Sequence, residues 1–285
     1  MRLVPSYVLP PATELAIAAL RPWRTLDFDA HRWRGLRDAV AQQLGVKPCE
    51  LSTLHGLGGD ATPRKNRRRT TGRRSNVEAL ELLVRTYEDF ICEVVAPHVA
   101  SEWGGSCDEV VFQAVPSLRV SPPDVKPSGQ RHRDGAYGHQ PGMINWWLPL
   151  TPAYGTNTLW LEDSSTTSAD AESDAHAGRR RLQKRAQPLE GSFGTLHRFH
   201  GHARFHFTRP NDTPHTRVSL DMRVVPGPAY DDDWPGSRHA ATGRQAFFLG
   251  GYYAACARDP GTGEWRVRRE IKGGFLRGNA ARRLS

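Results

Sequence analysis

The sequence predicts a mainly β protein in which N-terminal helices pack on a closed or double-sheet β core. From about residue 109 the chain breaks into short β-type runs separated by Gly, Pro, Asn and Asp, the pattern of sandwiches and barrels. Before that point the apolar residues of 75–96 recur at helical spacing. With 38% hydrophobic and 24% charged residues in a chain of 285, the composition is that of a globular protein with a sizeable core, too apolar for a mainly disordered one.

The elements follow in order. "DAHRWRGLRDAVAQQLG", residues 29–45, predicts a helix that ends at Gly45. "SNVEALELLVRTYEDFICEVVA", residues 75–96, carries an apolar stripe through Val77, Leu80, Leu83, Val84, Tyr87, Phe90, Ile91, Val94 and Val95, and Ser75 with Glu78 forms a capping box at its start. Strands are expected in "EVVFQAV", "SLRVS", "MINWWLPL", "TNTLWLE", "GTLHRFH", "ARFHFT", "TRVSLDMRVV" and "AFFLGGYY". Residues 163–186, small and polar and then basic, read as a mobile surface insertion. The expected organisation is one domain over 1–285. It comprises a helical part at 1–108 with a basic loop at 62–76, a β core at 109–255 and a C-terminal extension at 256–285. No internal repeat is visible.

Composition also narrows the function. The four cysteines, Cys49, Cys92, Cys107 and Cys256, form no C-x-x-C pair, so reduced, buried thiols are expected rather than a zinc knuckle or disulfide framework. Pro5, Pro10, Pro11 and Glu14 interrupt any secretory-type apolar region and nothing resembles a membrane span, which makes the cytoplasm the expected location. The net charge of +9 is local: seven Lys or Arg fall in "RKNRRRTTGRR", residues 64–74, and without them it drops to +2. That run reads first as a solvated loop and second as an anion-binding arm for a phosphorylated small-molecule substrate, a carrier domain or a nucleic acid, the last disfavoured because no recognition module accompanies it.

The chemistry-bearing stretch is "RHRDGAYGHQ", residues 131–140, with His132 and Asp134 two apart. Chance alone supplies about one His-x-Asp in such a chain, so the pair means little unaided. A facial iron(II) site needs a second histidine from a distant strand, and His197, His200, His202, His206 and His215 are candidates. His197, His200 and His202 suggest a zinc cluster only weakly, because Gly201 breaks the strand. His206 has a further mark: ten residues after it comes Arg217, and Ser219 follows. Alternation puts Arg217, Ser219 and Asp221 on one strand face. An inward arginine calls for an anion, and a guanidinium fork beside a hydroxyl suits a carboxylate.

His132-x-Asp134, His206 and Arg217-x-Ser219 together resemble the pattern of the iron(II)- and 2-oxoglutarate-dependent oxygenases. The phrases "HRDGAYGHQPGMINWWLPLTPAYGTNTLWLE" and "FHGHARFHFTRPNDTPHTRVSLDMRVVP" resemble specifically the StrG-like group, over residues 111–226. The resemblance implies a double-stranded β-helix (jelly-roll, cupin-like) core. It implies that His132, Asp134 and His206 bind Fe(II), and that Arg217 and Ser219 hold the 5-carboxylate of the cosubstrate 2-oxoglutarate. Asn145 shares a face of "INWWLPL" with Trp147, and an inward face would bring it to cosubstrate or substrate. With O2, the implied reaction is oxidation of an unactivated C–H bond of a small polar metabolite such as an aminoglycoside-type intermediate, and Asp134 speaks against halogenation. The competing readings are a nucleic-acid-acting oxygenase that uses 64–74 and a non-catalytic metal-binding β-barrel, against which Arg217 and Ser219 speak. No serine-hydrolase elbow, phosphate-binding loop or dinucleotide fingerprint is present.

Overall fold

The computed structural model describes residues 9–57, 77–125, 129–163, 186–238 and 242–268. It is mainly β. Among the described residues there are eleven strands: β1 (Arg24–Asp27), β2 (Glu109–Gln113), β3 (Ser117–Ser121), β4 (Ile144–Pro149), β5 (Leu159–Glu162), β6 (Ala186–Pro188), β7 (Thr195–Phe199), β8 (His206–Thr208), β9 (Arg217–Pro226), β10 (Tyr253–Arg258) and β11 (Trp265–Val267). They form an antiparallel sheet ordered β1-β7-β4-β9-β2-β10-β11, with β3 also paired to β9, and a small sheet ordered β6-β5-β8. The long β9 lies at the centre of the large sheet. One edge pairs with β4, and the other is shared by β3 along Arg217–Asp221 and by β2 along Val224–Pro226.

Period-two alternation decides what each face of the large sheet meets. Ile144, Trp146 and Leu148 of β4, with Val218, Leu220, Met222 and Val224 of β9, join the main core. That core also takes residues from α2 (Arg34–Leu44), α3 (Val77–Phe90) and α4 (Ala96–Glu102). On the opposite face Trp147 and Phe199 pack with Leu161 and Leu189 in a second cluster toward the small sheet. β4 is therefore buried on both faces, as central strands covered on each side are. A short α1 (Pro11–Ile17) precedes these elements. Among the described residues no helix is long and apolar enough to cross a membrane.

Several expectations need correction. The helix expected over 29–45 begins only at Arg34, because Asp29 Oδ1 accepts the backbone N–H groups of His31 and Arg32 and turns the chain first. It ends as expected at Gly45, which takes the left-handed conformation (φ 72°). The stripe over 75–96 continues past its expected end. α3 widens into a π-turn at Ile91–Val95 and runs on as α4 to Glu102. Pro97 has no N–H to give the Glu93 carbonyl and its ring would clash there in a regular α-helix, which the wider turn avoids. "AFFLGGYY" is not a strand. Gly250 (φ 83°) turns the chain, and β10 begins at Tyr253. β1, β6 and β11 were not foreseen, and β10 and β11 carry the large sheet into the expected C-terminal extension. Cys49 is exposed rather than buried; all four thiols are free. Ser75, the basic residues 64–74 and nearly all of the 163–186 insertion lie outside the described residues.

Candidate metal centre

The three expected ligands come together from two segments. His132 and His206 form an isolated antiparallel bridge and exchange both backbone hydrogen bonds, His132 N–H to the His206 carbonyl (3.1 Å) and His206 N–H to the His132 carbonyl (2.9 Å). That pairing brings their rings to 4.3 Å between centroids. Arg131 pins the first segment: it forks onto Glu162 (2.6 and 2.8 Å) with its guanidinium 3.6 Å above the Phe205 ring. Asp134 starts a short 3-10 turn to Tyr137, and its N–H donates to the Gly201 carbonyl (2.8 Å). One ligand atom from each of His132, Asp134 and His206 lies within 4.8 Å of the others, the one such group among the described residues.

Hydrogen bonds fix the ligand faces. His132 Nδ1–H donates to the Gln130 carbonyl (2.6 Å) and His206 Nδ1–H to the Arg204 carbonyl (3.1 Å). A carbonyl only accepts, so each ring carries a proton on Nδ1, and the neutral ring presents its lone pair at Nε2. Both Nε2 atoms face Asp134 Oδ1, at 3.4 Å from His132 and 3.7 Å from His206. Burial pushes His206 down to about 4, with Asp134 pulling the other way, so it is a neutral imidazole. Burial would raise Asp134, but the Arg223 guanidinium beside it outweighs burial and holds the carboxyl well below the usual carboxylate range. The result is two imidazole lone pairs and one carboxylate oxygen on a common point, a donor set suited to a divalent transition metal.

Arg217 and Ser219 lie on the same face of β9. Arg217 is 2% exposed and Ser219 fully buried. Arg217 Nε donates to the Asn157 carbonyl (2.8 Å), Nη1 donates to Ser219 Oγ (2.6 Å), and the guanidinium stands 5.9 Å from the Trp147 ring centre. Among the described residues no carboxylate lies within ion-pair distance of it. Burial lowers Arg217 to about 10, still charged at neutral pH, which leaves a buried cation whose hydrogen-bond partners are neutral.

The remaining polar residues around the site divide. Asn145 Nδ2 donates to Asp134 Oδ2 (2.7 Å), while Asn145 Oδ1 is buried without a partner. Asn157 is committed to its turn: Oδ1 accepts from Tyr154 N–H and Nδ2 donates to Thr213 Oγ1. Arg119 donates to Asp221 Oδ2 (2.8 Å) across β3 and β9. His197, His200 and His202 do not converge. His197 meets Trp23 and Thr25, while His200 and His202 donate to the Pro141 and His139 carbonyls. Sequence reasoning missed Arg223, whose Nε donates to Asp134 Oδ2 (3.1 Å). The alternation that paired Arg217 with Ser219 and Asp221 reaches Arg223 one step further along β9.

No family model matches the chain. The streptomycin biosynthesis protein StrG of Streptomyces griseus is 31% identical over 165 residues, covering 58% of this chain and 70% of StrG. Among solved structures, AviO1 from Streptomyces viridochromogenes Tue57 aligns at 18% identity and a TM-score of 0.47 over 79% of this chain and 99% of its own. EctD from S. alaskensis with bound Fe aligns at 16% identity and a TM-score of 0.47 over 76% of each chain. A non-heme monooxygenase, the ThoJ–Ni complex, aligns at 15% identity and a TM-score of 0.44 over 75% of this chain and 77% of its own.

Proposed function

Because the chain belongs to the family of the streptomycin biosynthesis protein StrG, we propose that it is an iron(II)- and 2-oxoglutarate-dependent dioxygenase that hydroxylates a small polar metabolite. The observation that carries this reading is the convergence of two Nε2 lone pairs and one Asp134 oxygen, from segments more than seventy residues apart, on a single point. Arg217 separates it from simple metal storage, because a buried cation with only neutral partners fits the far carboxylate of a dicarboxylate. The sheet order supports a double-stranded β-helix. With the His132 bridge counted as a segment, the order His132-β8-β5-β6 faces β3-β9-β4-β7, eight segments in two antiparallel layers.

His132, Asp134 and His206 would hold the metal, and Arg217 with Ser219 would hold the 5-carboxylate. When bound, the iron and cosubstrate supply the oxidising chemistry: substrate C–H, 2-oxoglutarate and O2 become substrate C–OH, succinate and CO2. The chain's own residues orient and exclude water. The Gln130 and Arg204 carbonyls hold the Nδ1 side of each imidazole and leave Nε2 turned inward. Trp147, beside the Arg217 guanidinium, fills the space between the sheets with Phe199 and Leu161. An aminoglycoside-type intermediate, acted on in the cytoplasm, is the substrate class we favour.

The test is turnover of 2-oxoglutarate to succinate by the purified protein with iron(II), with and without a panel of polar amino sugars and cyclitols. Asp134→Ala is expected to lower turnover to background. Undiminished succinate formation by that variant would exclude the proposed centre.

A further inference from the structure

The far oxygen of Asp134 is already occupied. Oδ1 faces the two histidines, while Oδ2 accepts from Asn145 Nδ2 at 2.7 Å and Arg223 Nε at 3.1 Å. The two donors are cross-strand partners: Asn145 of β4 stands directly opposite Arg223 of β9, both on the face turned toward the small sheet. Arg223 is itself fixed. It is 9% exposed, and Nη1 donates to Gln113 Oε1 (3.3 Å) and to Tyr252 Oη (3.4 Å). Gln113 is in turn held through Nε2 to the Val115 carbonyl (2.6 Å) and Ser117 Oγ (3.1 Å). A carboxylate oxygen has two in-plane lone pairs, and here two rigid donors take both. A loose or rotated Asp134 would offer either oxygen, or both together. This one offers Oδ1 alone.

We infer that Arg223, acting with Asn145, is a positioning residue that commits Asp134 to single-oxygen coordination and keeps the remaining metal positions free for cosubstrate and O2. The inference rests on the proposed metal centre and adds to it a residue that touches no reacting atom. Hydrogen-bonded partners of ligating carboxylates characteristically set metal affinity by 10–100-fold when removed. Arg223 also balances the Asp134 charge before any metal arrives, so the pocket is built in the metal-free protein.

The experiment is an anaerobic cobalt(II) titration of the full chain, wild type against Asp134→Ala, Arg223→Met and Arg223→Lys, followed by the visible d–d spectrum, which gives affinity and ligand geometry together. Melting of the metal-free proteins identifies the folded variants. Expected for Arg223→Met is a Kd raised about 10–100-fold with an altered d–d spectrum. Arg223→Lys should lie between it and wild type, because the charge returns without the fork. If Arg223→Met does not fold, Arg223→Lys is judged by the same criterion. Wild-type affinity and spectrum in a folded Arg223 variant overturn this inference alone, provided Asp134→Ala loses the metal. Wild-type cobalt binding by Asp134→Ala overturns the metal centre itself.

Discussion

Arg217 shows most sharply how a single side chain carries functional meaning. A guanidinium this deeply buried costs several kcal/mol to desolvate, and here its hydrogen-bond partners are a backbone carbonyl and a hydroxyl. Asp221 on the same face offsets part of that cost, and a bound anion would offset more. Arg217→Met should therefore leave the metal-free protein within about 1 kcal/mol of wild type in denaturant unfolding, because a similar-sized apolar chain replaces a buried charge that no carboxylate contacts directly. The same variant should weaken 2-oxoglutarate binding about 100-fold, the worth of a lost charge-assisted fork, measured by calorimetry with manganese(II) present. Strong destabilisation with unchanged cosubstrate binding would recast Arg217 as a purely structural residue. That His132, Asp134 and His206 would lie together was an expectation from the family resemblance of the combined pattern with Arg217, since the pair His132-x-Asp134 says little by itself. The meeting of Arg223, Gln113 and Tyr252 was not legible in the sequence, because they come from two strands and the turn before a third and join only in the folded sheet.

At the scale of the element, β4 joins stability to function. Trp146 points to the helices, with its ring 5.5 Å from His98, while Trp147 points between the sheets beside Arg217. Both are 1% exposed, so either Trp→Ala change should cost about 3–5 kcal/mol in unfolding free energy. Only Trp147→Ala should also weaken 2-oxoglutarate binding, because only it removes the wall that steadies Arg217. Equal effects of the two variants on cosubstrate affinity would mean that the faces of β4 are not functionally distinct. Strands after residue 109 were largely legible from alternation and turn residues. The misses have local causes. β1, β6 and β11 are three or four residues long and none of their residues is buried, so they leave no periodic trace. "AFFLGGYY" has strand-like composition, but its glycines turn the chain.

Across the whole molecule, the core joins helices from the first hundred residues to the outer face of the large sheet and leaves the inner face for polar work. Asn145, Arg217, Ser219, Asp221 and Arg223 share that inner face with Trp147 and Phe199. The small sheet contributes His206 and, through its bridge, His132. The two layers thus set the ligands of the 132–134 and 206 segments against Asn145 and Arg223 of the large sheet. The layering could be anticipated from the change of texture near residue 109, whereas the pairing of His132 with His206 could not, since a single isolated bridge has no sequence pattern. Anomalous diffraction from crystals grown with manganese(II) tests the central claim most directly. One strong peak within coordinating distance of His132 Nε2, His206 Nε2 and Asp134 Oδ1, with Asp134 Oδ2 still on Asn145 and Arg223, is the predicted result. A fully occupied peak elsewhere, with these three side chains unliganded, would contradict the account.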